Sequence, residues 1–381
     1  MDAGGRFSHR DDLRVALRTG PVFRDFDAHA KTRRLQILIS EVQRGDAALR
    51  MDTRGYRVDA EYLYPASALK HLAAYALFGA QPGLSDAQRV RPSDTLRFYA
   101  RPPAGLREEA LTEYRGASQT IRVDDLVRRT LITSSNEGYN RLYDAMGHTG
   151  INQWLAGAGF VSPRLRHRLY AFEDPVQHLL SPRVDFERDG DVYRVKPAQQ
   201  DVAWPQPNIG AGQQIGARHR DEQASALIEA PMDFSQKNAV TLSDLHRSIL
   251  ALMAPELVPD ISLDLQPAAR AFLIEVMSEF PSGKADRGFE QRVDRYKPLL
   301  PGVRTALGDG AVRYVNKAGR AYGFHLDTAW IENTQNGRAV VVTVGTYVNA
   351  NETLNDDRYE YRDSYALMKE LGAWIAEHYL K

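Results

Sequence analysis

Strand-like segments stand at both ends of this chain and helical segments fill its middle, which leaves few folds open. Leu35–Val42 is a β-branched, apolar run with a second strand-like segment, Ala47–Thr53, after the turn Arg44-Gly45-Asp46. Near the other end, Tyr322–Ile331 and Ala339–Val348 flank Asn336-Gly337, a dipeptide typical of tight hairpin turns. The pattern predicts an antiparallel sheet assembled from both termini.

The middle of the chain follows a helical period. Apolar stripes predict helices after Ser67, after Val123, over Glu137–Met146, over Thr241–Met253 and over Pro267–Phe280, with a closing helix over Asp363–Tyr379. Residues 180–237 are rich in proline, glycine and arginine, with a predicted hairpin over Val184–Val195, and are interpreted as a surface insertion.

These segments predict an α+β fold with two domains. The sheet and its flanking helices form a discontinuous α/β domain, and a mostly helical domain is inserted into it. The predicted bounds are 1–66 and 261–381 for the sheet domain and 67–260 for the helical domain, with the insertion near 180–237.

Composition excludes several classes of function. Forty-nine basic and 49 acidic residues give no net charge, so a nucleic-acid surface is not expected. No apolar run reaches the roughly 20 residues of a membrane span. Cysteine is absent and the ten histidines lack ligand spacing, so neither a thiolate nor a metal site is expected, and no cofactor is predicted. The first residues are polar and leave the compartment open.

Ser67 and Lys70 carry the strongest chemical signal. Pro65 and Ala66 precede an apolar helical run, so Ser67 and Lys70 are expected one turn apart on the same helix face. A serine hydroxyl needs a base to become a nucleophile, and a lysine amine with a lowered pKa is one. The start of a helix adds N–H donors near the reacting oxygen.

Two further fragments follow in order. Ser134-Ser135-Asn136 has the form Ser-x-Asn between two helices, and Lys317-Ala318-Gly319 has the form Lys-x-Gly against a strand. With Ser-x-x-Lys at Ser67, this order resembles the penicillin-recognising serine hydrolases, and within them the class A β-lactamases. The order of secondary elements agrees across most of the chain.

The resemblance implies a role for each motif residue. Ser67 would be the acylated nucleophile, Lys70 its base, directly or through a water, and Ser134 the relay of a proton to the leaving nitrogen. Asn136 would bind the substrate amide, and Lys317 would attract the substrate carboxylate. Gly319 would let substrate lie close to the strand, and the backbone N–H groups of Ser67 and Arg320 would form the oxyanion hole. Candidates for an additional carboxylate-binding cation are Arg313, Arg320 and His325.

Three departures from the family pattern bear on function. Ser135 replaces the usual aspartate of Ser-x-Asn, and Ala318 replaces the usual hydroxyl residue of Lys-x-Gly. The stretch from Arg168 to Glu173 loosely resembles the one that holds the deacylating glutamate, so Glu173 is the candidate base or else an ordinary loop carboxylate.

The resulting prediction is a β-lactamase-like hydrolase that forms and hydrolyses an acyl-Ser67 intermediate on a β-lactam or related amide. One alternative is a D-alanyl-D-alanine peptidase or esterase that behaves as a penicillin-binding protein. Another is a catalytically silent relative that binds cell-wall peptides or a protein. By resemblance, the expected location is periplasmic or otherwise extracytoplasmic.

Overall fold

The structure, a computed structural model, describes residues 8–45, 48–171, 173–205, 212–221, 225–281 and 293–381. The predicted turn residue Asp46 and the start of the following strand at Ala47 lie outside these residues.

Helices occur throughout the described chain. They are α1 Leu13–Leu17, α2 Pro21–Ala28, α3 Lys70–Phe78, α4 Glu108–Glu113, α5 Val123–Leu131, α6 Asn136–Met146, α7 His148–Gly157, α8 Pro175–Leu179, α9 Leu242–Met253, α10 Pro267–Ser278, α11 Val293–Tyr296, α12 Leu300–Leu307 and α13 Tyr361–Ile375. A 3₁₀ turn over Ala66–Leu69 leads directly into α3.

The strands fall into several sheets. They are β1 Gln36–Arg44, β2 Leu49–Tyr56, β3 Thr95–Tyr99, β4 Ser118–Arg122, β5 Leu180–Ser181, β6 Val184–Arg188, β7 Asp191–Lys196, β8 Gln199–Gln200, β9 Gln214–Ile215, β10 Arg218–Arg220, β11 Leu227–Ile228, β12 Met232–Asp233, β13 Val312–Ala321, β14 Phe324–Asn333, β15 Ala339–Tyr347 and β16 Thr353–Leu354.

The described residues divide into two compact units. The first lies within Met1–Leu69, Asn208–Asp260 and Met277–Lys381, and the second within Lys70–Pro207 and Ile261–Val276. This division differs from the predicted bounds at 261–276, which belong to the helical unit, and chiefly at 208–260, which belong to the sheet unit. The reason is α9, which packs on the sheet: Nε2 of His246 lies 2.8 Å from Oγ of Ser40 on β1, and Oγ1 of Thr328 on β14 donates to the Leu245 carbonyl at 3.2 Å.

A five-stranded sheet organises the first unit. Its strand order is β13-β14-β15-β1-β2, and each neighbouring pair is antiparallel. The pairing of β1 with β15 brings the two ends of the chain into one sheet, so the predicted α+β fold is confirmed. Apolar side chains of β1 and β15 pack against α13 in a common core, which includes Ile37, Val342, Leu367, Met368 and Leu371.

The second unit combines helices with a four-stranded sheet of order β4-β3-β6-β7. The hairpin predicted over Val184–Val195 is present as β6 and β7. The interpretation of this stretch as a surface insertion is wrong for β6, because Val184 and Phe186 are fully buried and β6 pairs with β3. The polar residues around Val184 and Phe186 therefore do not make β6 a surface strand.

Candidate active site

Ser67 lies in a short, tightly built turn of the first unit. The turn Ala66–Leu69 is 3₁₀ in type, and Ala66 has a φ of 48°. Ala66 and Ala68 are buried, whereas Ser67 between them is partly exposed. The turn therefore presents the one hydroxyl of this stretch at its surface.

Strand β13 runs very close to this turn. A Cβ placed on Gly319 would lie 2.3 Å from the Pro65 carbonyl oxygen, 2.5 Å from the Ala68 nitrogen and 3.0 Å from the Ser67 nitrogen. Only glycine permits such an approach of two backbones. The structure thus brings Gly319 and Ser67 together, and the Lys-x-Gly motif lies inside β13.

Lys317 occupies a buried position two residues before Gly319. Its side chain is 2% exposed, and its Nζ donates to the Ala318 carbonyl at 3.0 Å. Burial lowers the pKa of Lys317 to about 7, and the Asp327 carboxylate opposes this decrease. Its charge is therefore sensitive to its immediate surroundings near neutral pH.

In the second unit, Lys70 is held by the Ser-x-Asn motif. Its buried Nζ donates to the Ser134 carbonyl at 2.5 Å and to Oδ1 of Asn136 at 2.8 Å, and lies 3.4 Å from Oγ of Ser134. Ser134 has a φ of 58°, a conformation that turns the chain sharply into α6. Lys70, Ser134 and Asn136 are thus brought together.

Ser135 has a structural task of its own. Its hydroxyl accepts a hydrogen bond from the Gly138 amide at 3.1 Å and caps the N-terminus of α6. Serine is among the preferred residues at that position. The departure from aspartate therefore keeps a local cap.

Glu173 is held in ion pairs. Both carboxylate oxygens contact the Arg101 guanidinium, one of them at 2.7 Å, and Arg168 lies 3.7 Å away. Nδ1 of His178 lies 3.5 Å from the same carboxylate. Burial raises the pKa of Glu173, but these cations outweigh it and hold that pKa below its usual value.

Helix α6 carries a polar stripe that the sequence reasoning missed. Asn136, Asn140 and Asp144 recur every four residues, so they share one face. Asn140 binds Leu169 through both backbone groups: its Nδ2 donates to the Leu169 carbonyl at 3.1 Å, and its Oδ1 accepts from the Leu169 amide at 2.8 Å. Asp144 pairs with the buried guanidinium of Arg168. The i, i+4, i+8 spacing of three short polar residues is the signal that could have revealed it.

The three candidate carboxylate-binding cations contact other side chains of the protein. The Arg320 guanidinium stacks 4.7 Å from the Tyr361 ring centroid and donates to the hydroxyl of Tyr365. Arg313 pairs with Glu332 at 3.7 Å. His325 is buried with Nδ1 2.7 Å from Oγ of Ser364. Each of these side chains therefore already has a partner within the protein.

The described part of the chain lacks both the side-chain groups of a metal site and the helix of a membrane span. No group of three or more His, Cys, Asp or Glu side chains there could hold a metal ion. No helix among those residues has the length and apolarity to cross a membrane.

A family model described as the beta-lactamase enzyme family matches residues 51–379. No curated protein sequence matches the chain.

Solved structures with a similar fold include three informative examples. The chromosome-encoded beta-lactamase of Vibrio parahaemolyticus is 14% identical, with a TM-score of 0.51 over 94% of this chain and 98% of that one. A beta-lactamase from Desulfarculus baarsii is 16% identical, with a TM-score of 0.50 over 95% and 97%. A variant of PBP-A, solved as an acyl-enzyme complex with penicillin G, is 14% identical, with a TM-score of 0.52 over 97% and 98%. At such identities the similarity establishes the fold.

Proposed function

Because this chain belongs to the beta-lactamase enzyme family, we propose that it is a serine hydrolase in which a β-lactam or related amide acylates Ser67. The observation that carries the proposal is the set of hydrogen bonds that hold the buried Lys70 amine to Ser134 and Asn136. A lysine amine in its neutral form can take up the proton of a serine hydroxyl.

Acylation would form an ester bond to Ser67 and break the lactam C–N bond. Oγ of Ser67 attacks the lactam carbonyl carbon while its proton passes to Lys70. The C–N bond breaks, and the leaving nitrogen receives a proton through the hydroxyl of Ser134. The backbone N–H groups of Ser67 and Arg320 would stabilise the carbonyl oxygen, which becomes negatively charged in the tetrahedral intermediate.

Substrate binding would use strand β13. The close approach of Gly319 to the Ser67 turn supports a substrate lying along β13. The buried amine of Lys317 would attract the substrate carboxylate, and Asn136 would bind the substrate amide in addition to holding Lys70. The cell-wall peptide that a β-lactam mimics is the other substrate class that fits, and a periplasmic or otherwise extracytoplasmic location would suit either.

Slow release of the acyl group is the second part of the proposal. Glu173 is neutralised by Arg101 and Arg168, and a carboxylate with a lowered pKa is a weak base. Asn140, one turn along α6 from Asn136, forms two hydrogen bonds with the backbone of Leu169, so this loop residue is anchored to the helix. An apolar side chain there cannot activate water. We therefore favour a penicillin-binding protein-like acyl-enzyme over a rapid β-lactamase.

The test is incubation with a fluorescent penicillin, followed by peptide mass spectrometry and a chase that measures release. We expect a Ser67 adduct that forms within minutes and persists for hours, and no adduct in Ser67→Ala. Rapid steady turnover would instead support the β-lactamase alternative. Absence of any adduct on Ser67 in folded protein would refute the proposal and favour the catalytically silent binding relative.

A further inference from the structure

Two lysines and one carboxylate are buried around strand β13 in the first unit. Lys297 and Lys317 are each 2% exposed, and Asp327 is fully buried. Burying an ionisable group is costly unless it is paired and hydrogen-bonded. Three such groups in one place therefore call for a functional explanation.

Asn316 bridges Lys297 and Asp327 by hydrogen bonds. Nζ of Lys297 donates to Oδ1 of Asn316 at 2.9 Å, and Nδ2 of Asn316 donates to Oδ1 of Asp327 at 2.7 Å. The hydroxyl of Tyr314 donates to the second Asp327 oxygen at 2.5 Å. The amine of Lys297 also donates to the backbone carbonyls of Met277 and Tyr314, at 3.0 and 3.1 Å.

Asn316 and Asp327 lie on the face of the sheet opposite to Lys317. Successive side chains of a strand point to opposite faces, so Asn316 lies on one face of β13, and Lys317 and Gly319 on the other. Asp327 is the register partner of Ala318, between the two motif residues. The cluster therefore fixes the stretch of backbone that carries Lys317 and Gly319.

The charges of the cluster also act on Lys317. The carboxylate of Asp327 attracts it, whereas Lys297 is a second cation nearby, and Arg304 of α12 adds a positive charge beside Lys297. Burial lowers the pKa of Lys297 to about 7 and raises the pKa of Asp327 to about 6. The Asp327 carboxylate thus favours the charged form of both Lys297 and Lys317, whose pKa values lie near neutral pH.

We propose that Asp327 and Lys297 are positioning residues that set the charge and placement of Lys317, and through it the selection of anionic over neutral substrates. The consequence for substrates rests on the proposed function of Ser67 and Lys317. Asp327 favours the ammonium form of Lys317, and Lys297 disfavours it. The two residues therefore have opposite effects on one observable, which a purely structural role would not produce.

A titration of Lys317 tests the charge coupling without any need for activity. The protein is labelled with ¹³C-lysine, and the Lys317 signal is assigned by its loss in Lys317→Met. We expect the midpoint to fall by about one pH unit in Asp327→Asn, on the scale of a lost buried charge interaction. It should rise in Lys297→Met. The matched control is Glu332→Gln, which removes a carboxylate of the same strand that pairs with Arg313 and should leave the midpoint unchanged.

The second measurement is the rate of Ser67 acylation by penicillin divided by the rate with its neutral methyl ester, as a function of pH. This ratio cancels the titration of groups that act on both substrates. We expect it to fall as pH rises through the Lys317 midpoint, about tenfold per pH unit at its steepest, and to shift with the midpoint in each variant. If either Asp327→Asn or Lys297→Met fails to fold, the remaining variant and the wild-type pH profile still test the coupling.

The outcomes separate the two proposals. An unchanged Lys317 midpoint in a folded Asp327→Asn protein would overturn the coupling. A shifted midpoint with an unshifted rate ratio would overturn the role in substrate selection. A shifted midpoint with no Ser67 adduct on either substrate would refute the proposed function and leave the coupling intact.

Discussion

Oδ1 of Asn136 accepts a hydrogen bond from Nζ of Lys70 at 2.8 Å, and this contact links the first residue of α6 to the first residue of α3. The side chain of Lys70 is fully buried, so its amine depends on protein partners instead of water. The bond gives Asn136 a task that the sequence motif alone did not suggest: it orients the candidate base.

The first prediction concerns this contact. Lys70→Ala is expected to slow acylation of Ser67 by at least about 100-fold, the scale of general-base catalysis. Asn136→Ala should slow it by a smaller factor, because the amine remains but is less well oriented. Stopped-flow mixing with a chromogenic cephalosporin measures both rates, with thermal melting as the check on folding. A Lys70→Ala protein that is acylated at nearly the wild-type rate would show that another group removes the serine proton.

The second prediction concerns release of the acyl group. Leu169→Glu should speed deacylation by about 10-fold or more, because Asn140 holds the backbone of residue 169 and a carboxylate carried there can activate water. The matched change Glu173→Gln should leave deacylation unaltered, since Glu173 is occupied by Arg101. Release of a fluorescent penicillin from pre-formed acyl-enzyme gives both rates. Faster release of the acyl group by the wild type than by Glu173→Gln would show that Glu173 is the deacylating base.

The third prediction uses two glycines. Gly319→Ala places a methyl group against the backbone of Pro65 and Ala68, so the strand or the Ser67 turn must move. We expect a loss of about 1–3 kcal/mol in the free energy of unfolding and at least about 100-fold slower acylation. Gly310→Ala is the control, because a Cβ there meets nothing within 4 Å. Urea denaturation and penicillin labelling of the three proteins make the comparison, and wild-type labelling by Gly319→Ala would contradict the close approach.

The fourth prediction is an acid sensitivity. Burial lowers the pKa of His325 to about 3, whereas an unfolded histidine titrates near 6.5. Below pH 6.5 the unfolded chain binds a proton that the folded protein refuses, so this residue destabilises the fold increasingly as pH falls from 6.5 towards 3. His325→Phe should reduce the loss of unfolding free energy between pH 7 and pH 5 by about 2 kcal/mol. Urea titrations at both pH values measure it, with exposed His378→Gln as the control. An equal loss in wild type and His325→Phe would mean that His325 does not titrate this way.

Local sequence signals predicted much of the fold. The runs of β-branched and aromatic residues in β1, β14 and β15 and the Asn336-Gly337 turn predicted strands whose register the structure supplies. These signals are reliable because periodicity and turn chemistry act over a few residues. They predicted β6 as a strand but missed its burial, because the polar, proline-rich residues around it indicated a surface segment and its pairing with β3 is a long-range contact.

The sequence by itself determined the strand-and-helix order, the three short motifs and their family, because these depend only on residue types at fixed spacing. The tertiary structure decided what each chemical group touches. It placed Gly319 against the turn of Ser67 and hydrogen-bonded the Lys70 amine to Asn136. It also paired Glu173 with arginines and buried Lys297 and Asp327 near Lys317. Contacts between residues far apart in the chain, and the desolvation that alters their charges, arise only when the chain has folded.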